Sequence, residues 1–336
     1  VIINGRKIGP GEPPYMIAEI SGNHQGSFEK AAYLMGLAAG AGADAVKIQC
    51  YTADSLTIDS DGSDFIIKEG PWKGRKLHEL YRKAQTPPGL VESIFHLAKQ
   101  YGQTVFSSVF DKTGLELLES LECPAYKIAS MEIVDIPLIK AVARTGKPLI
   151  ISTGMASEEE IDAAMVAAGN NATALACISG YPTPVAEADL RKIGRSHFVT
   201  GISDHTVGVE IPIAATALGA SIIEKHFCVS REDDIEDAEF SMEPEEFKGM
   251  CKTVRDTWTA INTPRAPTSQ ESSKQFRRSL YVVENMEAGE IFTNENVRSI
   301  RPAYGLPPKE LPKILGKHTI RRLKRGQALT WEMISA

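Results

Sequence analysis

Eight short runs of apolar and β-branched residues recur along most of the chain: YMIAEI (15–20), DAVKIQC (44–50), QTVFSS (103–108), AYKIAS (125–130), KPLIIST (147–153), ATALACIS (172–179), HFVTGIS (197–203) and ASIIEKHF (220–227). Strands this apolar are buried on both faces, which is the pattern of a parallel rather than an antiparallel sheet. Helical patterns separate most of them, at 27–43, 112–122, 136–146, 157–169 and 207–219, and Ser157 with Glu160 has the spacing of a capping box. Eight strand–helix units predict a (β/α)8 barrel. A doubly wound sheet is the alternative, but it usually has fewer strands and an early GxGxxG fingerprint, which is not found here.

Two segments break the rhythm. Residues 52–88 are polar, rich in Gly and Asp, and too long for an ordinary connection; following the second strand, they are expected to rise from the C-terminal face of the barrel, where active sites sit. Residues 262–275, NTPRAPTSQESSKQ, read as a linker. The expected organisation is a catalytic barrel over 1–261, a linker over 262–275 and a small domain of short strands and turns over 276–336.

Composition narrows the function. A net charge of −6 argues against nucleic acid and acidic membrane surfaces as partners, so anions must be held by local cations. The five cysteines lie apart without a CxxC pair, as expected of reduced thiols in the cytoplasm. No apolar run reaches the roughly 18 residues needed to span a bilayer, and the first residues do not read as a signal peptide.

Candidate chemistry clusters at the ends of the expected strands. His205 and His226 end neighbouring strands one βα unit apart, and such a pair suits a divalent first-row ion; two unrelated hydrogen-bonded histidines are the bland alternative. Lys47 and Lys127 lie in buried strands, so each needs an anion, either a ligand or an internal partner such as Glu19 or Glu132. Ser152 in STGM, with Ser108, Ser130 and Ser203 at other strand ends, supplies hydroxyls for a phosphate or carboxylate. Glu19 is a candidate general base, Asn23 a turn-shaping residue, and His24 is open between a loop role and a functional one. In the acidic run 231–242 either Asp237 or Glu239 is expected to reach the mouth, but not both.

The ordered motifs AEISGNHQG, ADAVKIQ, PAYKIAS, ISTGM, CISGYPTP, GISDHTVG and IEKHF resemble the sialic acid synthase family, and the tail resembles that family's small antifreeze-like (SAF) domain. The insertion, with WKGR at 72–75, is similar to that of the branch acting in pseudaminic acid biosynthesis. Ser179 fits that branch, where sialic acid synthases have Asn; Val109 stands where they have Pro.

The resemblance implies a metal-dependent condensation of phosphoenolpyruvate with an open-chain amino sugar, 2,4-diacetamido-2,4,6-trideoxy-altrose in that branch, releasing phosphate. It implies that His205 and His226 hold a manganese-type ion, with magnesium or cobalt as alternatives. Lys47, Lys127, Ser108, Ser130, Ser152 and Ser203 would hold phosphoenolpyruvate, Glu19 and Asp237 would steer water or sugar, and Glu132, Ser179 and Tyr181 would lie at the sugar site. Arg301 would reach the active site of the other subunit in a domain-swapped homodimer. Alternatives are N-acetylneuraminate or legionaminate synthesis, a non-catalytic binding protein using the SAF domain, or an aldolase forming a Schiff base on Lys127.

Overall fold

The computed structural model describes all residues except 71, 195–197 and 265–267. One position of the 52–88 insertion, the start of the run at 197–203 and the middle of the expected linker therefore lie outside the described residues. The chain divides into two compact units, Val1–Thr263 and Pro264–Ala336, each with its own apolar core.

In the first unit a small hairpin of β1 (Ile2–Ile3) and β2 (Arg6–Lys7) precedes eight parallel strands. These are β3 (Tyr15–Glu19), β4 (Ala45–Cys50), β5 (Val105–Val109), β6 (Tyr126–Ile128), β7 (Leu149–Ser152), β8 (Ala172–Cys177), β9 (Val199–Asp204) and β10 (Ile222–His226). They close into a barrel in the order β10-β3-β4-β5-β6-β7-β8-β9. All eight apolar runs thus became barrel strands, because only full enclosure suits strands with no polar face.

The outer layer consists of α1 (Phe28–Gly40), α4 (Pro88–Tyr101), α5 (Lys112–Ser120), α6 (Ile136–Ala143), α7 (Glu158–Ala168), α8 (Glu210–Ala217) and α9 (Pro244–Asn262), while α2 (Ala53–Leu56) and α3 (Leu77–Ala84) lie in the insertion. The capping box of α7 forms as expected: Ser157 accepts from the Glu160 amide and Glu160 from the Ser157 amide. Helix α4 starts with Pro88 in its first turn and ends at Gly102, whose φ of 65° is left-handed and favours glycine. It buries Leu90, Val91, Ile94, Phe95 and Ala98, each large side chain contributing roughly 1.5–3 kcal/mol.

One turn of the barrel departs from the repeat. Between β8 and β9 the described residues hold only two short 3-10 turns, Val185–Glu187 and Leu190–Lys192, where a helix is due. Pro182 and Pro184 keep the start of this connection extended, since each removes an amide donor and restricts the preceding residue. A cavity of about 300 Å³ remains there, with Ala176, Ile178, Ala188, Leu190, Ile202 and Ile211 among its lining.

The second unit holds α10 (Thr268–Glu271), a 3-10 turn at Ser272–Phe276, the antiparallel pair β11 (Ser279–Val282) and β12 (Val297–Ile300), and α11 (Leu311–Ile314). Leu280, Val282, Phe292, Val297, Leu323 and Leu329 form its core. Among the described residues no helix is long and apolar enough to cross a membrane.

Candidate active site

Alternation along a strand decides what enters the barrel. Ser203 pairs in register with Glu224 and donates to it at 3.0 Å inside the barrel, so the next inward residues are His205 and His226. Their rings lie 5.3 Å apart, centre to centre. The four side chains share one interior, and the histidine pair expected from the spacing is formed.

Below the rings lies a buried charge cluster. Lys47 of β4 forms a short ion pair with Glu19 of β3, donates to Ser108 Oγ at 3.1 Å, and stands 3.7 Å from Glu224. Lys127 of β6 reaches across the barrel to Glu224 at 3.2 Å, so its internal partner is Glu224 and not Glu132. Burial raises the Glu224 pKa, but Lys127 and Lys47 outweigh it and hold the carboxyl down at about 2. For Lys47 burial lowers the pKa while Glu19 and Glu224 raise it further, for a net rise. Lys127 ends below the usual lysine range, through burial and the Lys47 charge against the pull of Glu224. Gln49 donates to Glu19 at 3.2 Å.

The hydroxyls gather at one side of this cluster. Gly154, after Ser152, donates its amide to Ser130 Oγ at 3.1 Å. A Cβ at Gly154 would lie 2.8 Å from Ser130 Oγ and closer still to Ser179 Oγ, so glycine keeps this hollow open. Ser152 Oγ is buried without a hydrogen-bond partner among the described residues. The α7 terminus is capped by its own Ser157 and Glu160, so an anion here would meet hydroxyls and lysines rather than free helix amides.

Above the strand ends is a cavity of about 420 Å³, lined by His226, Asp237, Glu132 and Tyr181 together with an apolar wall that includes Leu56, Ile67, Trp72, Leu80, Tyr81 and Phe110. Most of that wall comes from the 52–88 insertion. Tyr181 lies against His205, ring centres 4.5 Å apart. Burial pushes the Glu132 carboxyl up to about 7, with Lys127 only partly opposing. Asp237 reaches the mouth, its Oδ2 at 3.4 Å from His226 Nδ1, whereas Glu239 is exposed. Glu236, beside Asp237, pairs with Arg75 at 2.6 Å and Lys83 at 2.9 Å, tying the insertion to the loop after β10.

Other residues have structural duties. His24 Nε2 meets Thr86 Oγ1 at 2.9 Å and Nδ1 accepts the Gly26 amide at 3.0 Å, and burial lowers its pKa to about 4, so it is a neutral loop pin. Asn23 donates to the Phe227 carbonyl at 2.9 Å, and Ser27 caps α1. Arg301 is an exposed residue of the second unit. Glu224 and Glu236 did not emerge from the motifs as site residues, although Glu224 shares the inward period of His226.

The residues fit a divalent ion in part. His205 Nδ1 lies 2.9 Å from the Ile178 carbonyl; a carbonyl only accepts, so this nitrogen carries a proton, and Nε2 is the nitrogen that offers a lone pair to a cation when the ring is neutral. His226 Nδ1 is buried and faces Asp237 Oδ2 at 3.4 Å without a well-aligned hydrogen bond among the described residues. Two imidazole donors beside a carboxylate match first-row divalent chemistry, with remaining positions left to water or substrate. No set of three or more His, Cys, Asp or Glu among the described residues is arranged to hold a metal unaided.

A closed parallel barrel with buried lysines, an imidazole pair and a capped cavity at its C-terminal mouth defines a class of barrels equipped for small anionic and polar substrates. The NeuB family model matches residues 34–265, and the SAF domain model matches 277–335. The chain belongs to the NeuB family. It is 41% identical over 325 residues to a pseudaminic acid synthase of Campylobacter jejuni, covering 94% of this chain and 95% of that one. It is 31% identical to an N,N'-diacetyllegionaminic acid synthase of the same species, covering 94% and 98%. A crystal structure of N-acetylneuraminic acid synthetase from Leptospira borgpetersenii in complex with citrate aligns with a TM-score of 0.71 at 27% identity, over 82% of this chain and 95% of that chain.

Proposed function

We propose that the chain condenses phosphoenolpyruvate with 2,4-diacetamido-2,4,6-trideoxy-altrose and water to give pseudaminate and phosphate, in the cytoplasm and as a homodimer. The observation that carries this reading is a pair of unlike compartments at one barrel mouth. A lysine and hydroxyl cradle lies beneath the imidazoles, and a cavity walled by apolar side chains of the insertion lies above them. The first suits a phosphate and a carboxylate; the second suits a sugar that exposes a C6 methyl and two acyl methyls. The higher identity to the pseudaminate enzyme than to the legionaminate one supports the same sugar.

In this reading Lys47, Lys127, Ser108, Ser130, Ser152 and Ser203 hold phosphoenolpyruvate, and the aldehyde of the sugar lies beside His205 and His226. A divalent ion held by those histidines, manganese first with magnesium or cobalt as alternatives, supplies electrophilic polarisation of the aldehyde when bound. C3 of the enol forms the new bond to the aldehyde carbon, whose oxygen gains a proton and becomes a hydroxyl. Water adds to C2, losing its proton to a carboxylate, and the C2–O bond to phosphate breaks so that phosphate leaves with that oxygen. Glu19 and Asp237 would orient the water or the sugar. Glu132, near neutrality and in the cavity wall, can hold or release a proton at working pH. Tyr181 lines the sugar side, and Ser179, whose hydroxyl stands beside Gly154 with that of Ser130, would face it from the border of the two compartments.

The dimer reading is supported by charge. Residues 277–335 carry 11 Lys and Arg against 6 Asp and Glu, while the whole chain is at −6, so the two units are oppositely charged. A basic SAF unit is thereby suited to the acidic barrel of a second copy, with Arg301 offered to its sugar.

The test is phosphate release with phosphoenolpyruvate and manganese, run in parallel with the pseudaminate, legionaminate and N-acetylneuraminate precursor sugars. The highest kcat/KM is expected with the altrose. A higher value with another sugar overturns the sugar assignment, and no release with any of the three overturns the enzyme reading in favour of binding. Borohydride trapping of a substrate on Lys127 would favour the Schiff-base route instead.

A further inference from the structure

One buried ion pair stands outside both compartments. Lys225 and Asp204 are the residues immediately before His226 and His205, and they are direct register partners on β10 and β9. Since Glu224 and Ser203 point inward, as do the histidines, Lys225 and Asp204 point outward, and Asp204 and Thr206 border the cavity beside β8 and β9. The Lys225 side chain is fully buried and that of Asp204 nearly so, and Nζ lies 2.6 Å from Oδ2. The network is complete: Nζ also donates to the Thr206 carbonyl at 2.5 Å, and Asp204 accepts from the Thr206 amide at 2.9 Å and hydroxyl at 3.1 Å.

Such a pair is a poor device for stability, because desolvating both charges offsets their attraction and apolar side chains would fill the space as well. What an ion pair adds is a single geometry. Here it joins two strands at the last step before each ring, and it also fixes Thr206, the residue just after His205. A shift of β9 against β10, or a twist at their ends, would separate the rings or turn them apart, and the pair resists both.

We propose that Lys225 and Asp204 are positioning residues that set the His205–His226 separation and orientation from the outer side of the barrel. This rests on the metal reading of the two histidines for part of its test and stands without it for the rest.

The experiment titrates Mn²⁺ into the full-length, metal-stripped protein by electron paramagnetic resonance, and in the metal-free proteins follows exchange of the His205 Nδ1 proton by NMR. The variant Asp204→Asn/Lys225→Met removes the cross-strand charge pair and keeps an acceptor for the Thr206 amide. Thr206→Val is a milder variant that deletes one donor to Asp204 without burying an unpaired charge. Ile128→Ala, an outward core residue of β6 across the barrel, controls for general loss of stability.

The double variant is expected to bind Mn²⁺ at least about 10-fold more weakly, in the range seen when groups that orient metal ligands are removed, and to exchange the Nδ1 proton faster. Thr206→Val should change both in the same direction by less, and Ile128→Ala should change neither. Unchanged affinity and exchange in the Asp204→Asn/Lys225→Met protein overturn the proposal, as does an equal loss in Ile128→Ala. If the double variant does not fold, Thr206→Val decides by the same two readouts. Absence of Mn²⁺ binding by the parent protein overturns the metal reading, and the exchange rates then decide the positioning role alone.

Discussion

Glu132 lends itself to a quantitative test. Its carboxyl is pushed from 4.5 to about 7, mainly by burial. Because the folded pKa lies above the unfolded one, the native state keeps its proton over a range where the unfolded chain has lost it. The stability this proton contributes is complete below about pH 4.5 and is lost as pH rises through about 7. At about 1.4 kcal/mol for each pKa unit, the gap amounts to roughly 3 kcal/mol. Glu132→Gln keeps the shape and cannot ionise, so it should match the parent near pH 4 and exceed it by about 3 kcal/mol near pH 8. Urea unfolding of both metal-free proteins across that range measures the difference, and contributions of the second unit, identical in the two, subtract. A difference independent of pH, or one that shrinks as pH rises, would refute the burial argument.

Replacing His205 or His226 by Ala should abolish manganese-dependent phosphate release with the circular-dichroism spectrum retained; normal turnover by both variants contradicts the metal reading. Glu224→Gln should cost about 3 kcal/mol or more in urea unfolding, because it leaves Lys127 buried without its carboxylate; an unaltered midpoint means that the cluster is hydrated. Removing residues 277–336 should leave a folded barrel with a raised sugar KM that sediments as a monomer, and an unchanged KM with sedimentation still as a dimer would dismiss the swapped dimer.

The barrel was legible in the sequence because its strands are enclosed on both sides and contain few polar residues. Those few were informative for the same reason: Lys47, Lys127, His205 and His226 stand in strands where a charge or imidazole needs a partner. Glu19 is the partner of Lys47 on the adjacent strand, and so within reach of sequence reasoning. Glu224 is the partner of Lys127 across the interior, between β10 and β6, and no spacing along the chain encodes a contact through the middle of a closed sheet. Glu236 was hidden in an acidic run that reads as solvated surface, yet Arg75 and Lys83 of the insertion draw it inward.

Among the described residues, the connection from β8 to β9 has no α-helix, and this gives the barrel a seam. Where other strands are shielded by a helix, β8 and the outer side of β9 face a hollow of about 300 Å³ under short turns. Unfilled volume is what pressure removes on unfolding, and thin cover is where local opening begins. Amide exchange should therefore enter the barrel first along β8 and β9, and hydrostatic pressure should loosen His205 before it reaches Lys47 on the far side of His226.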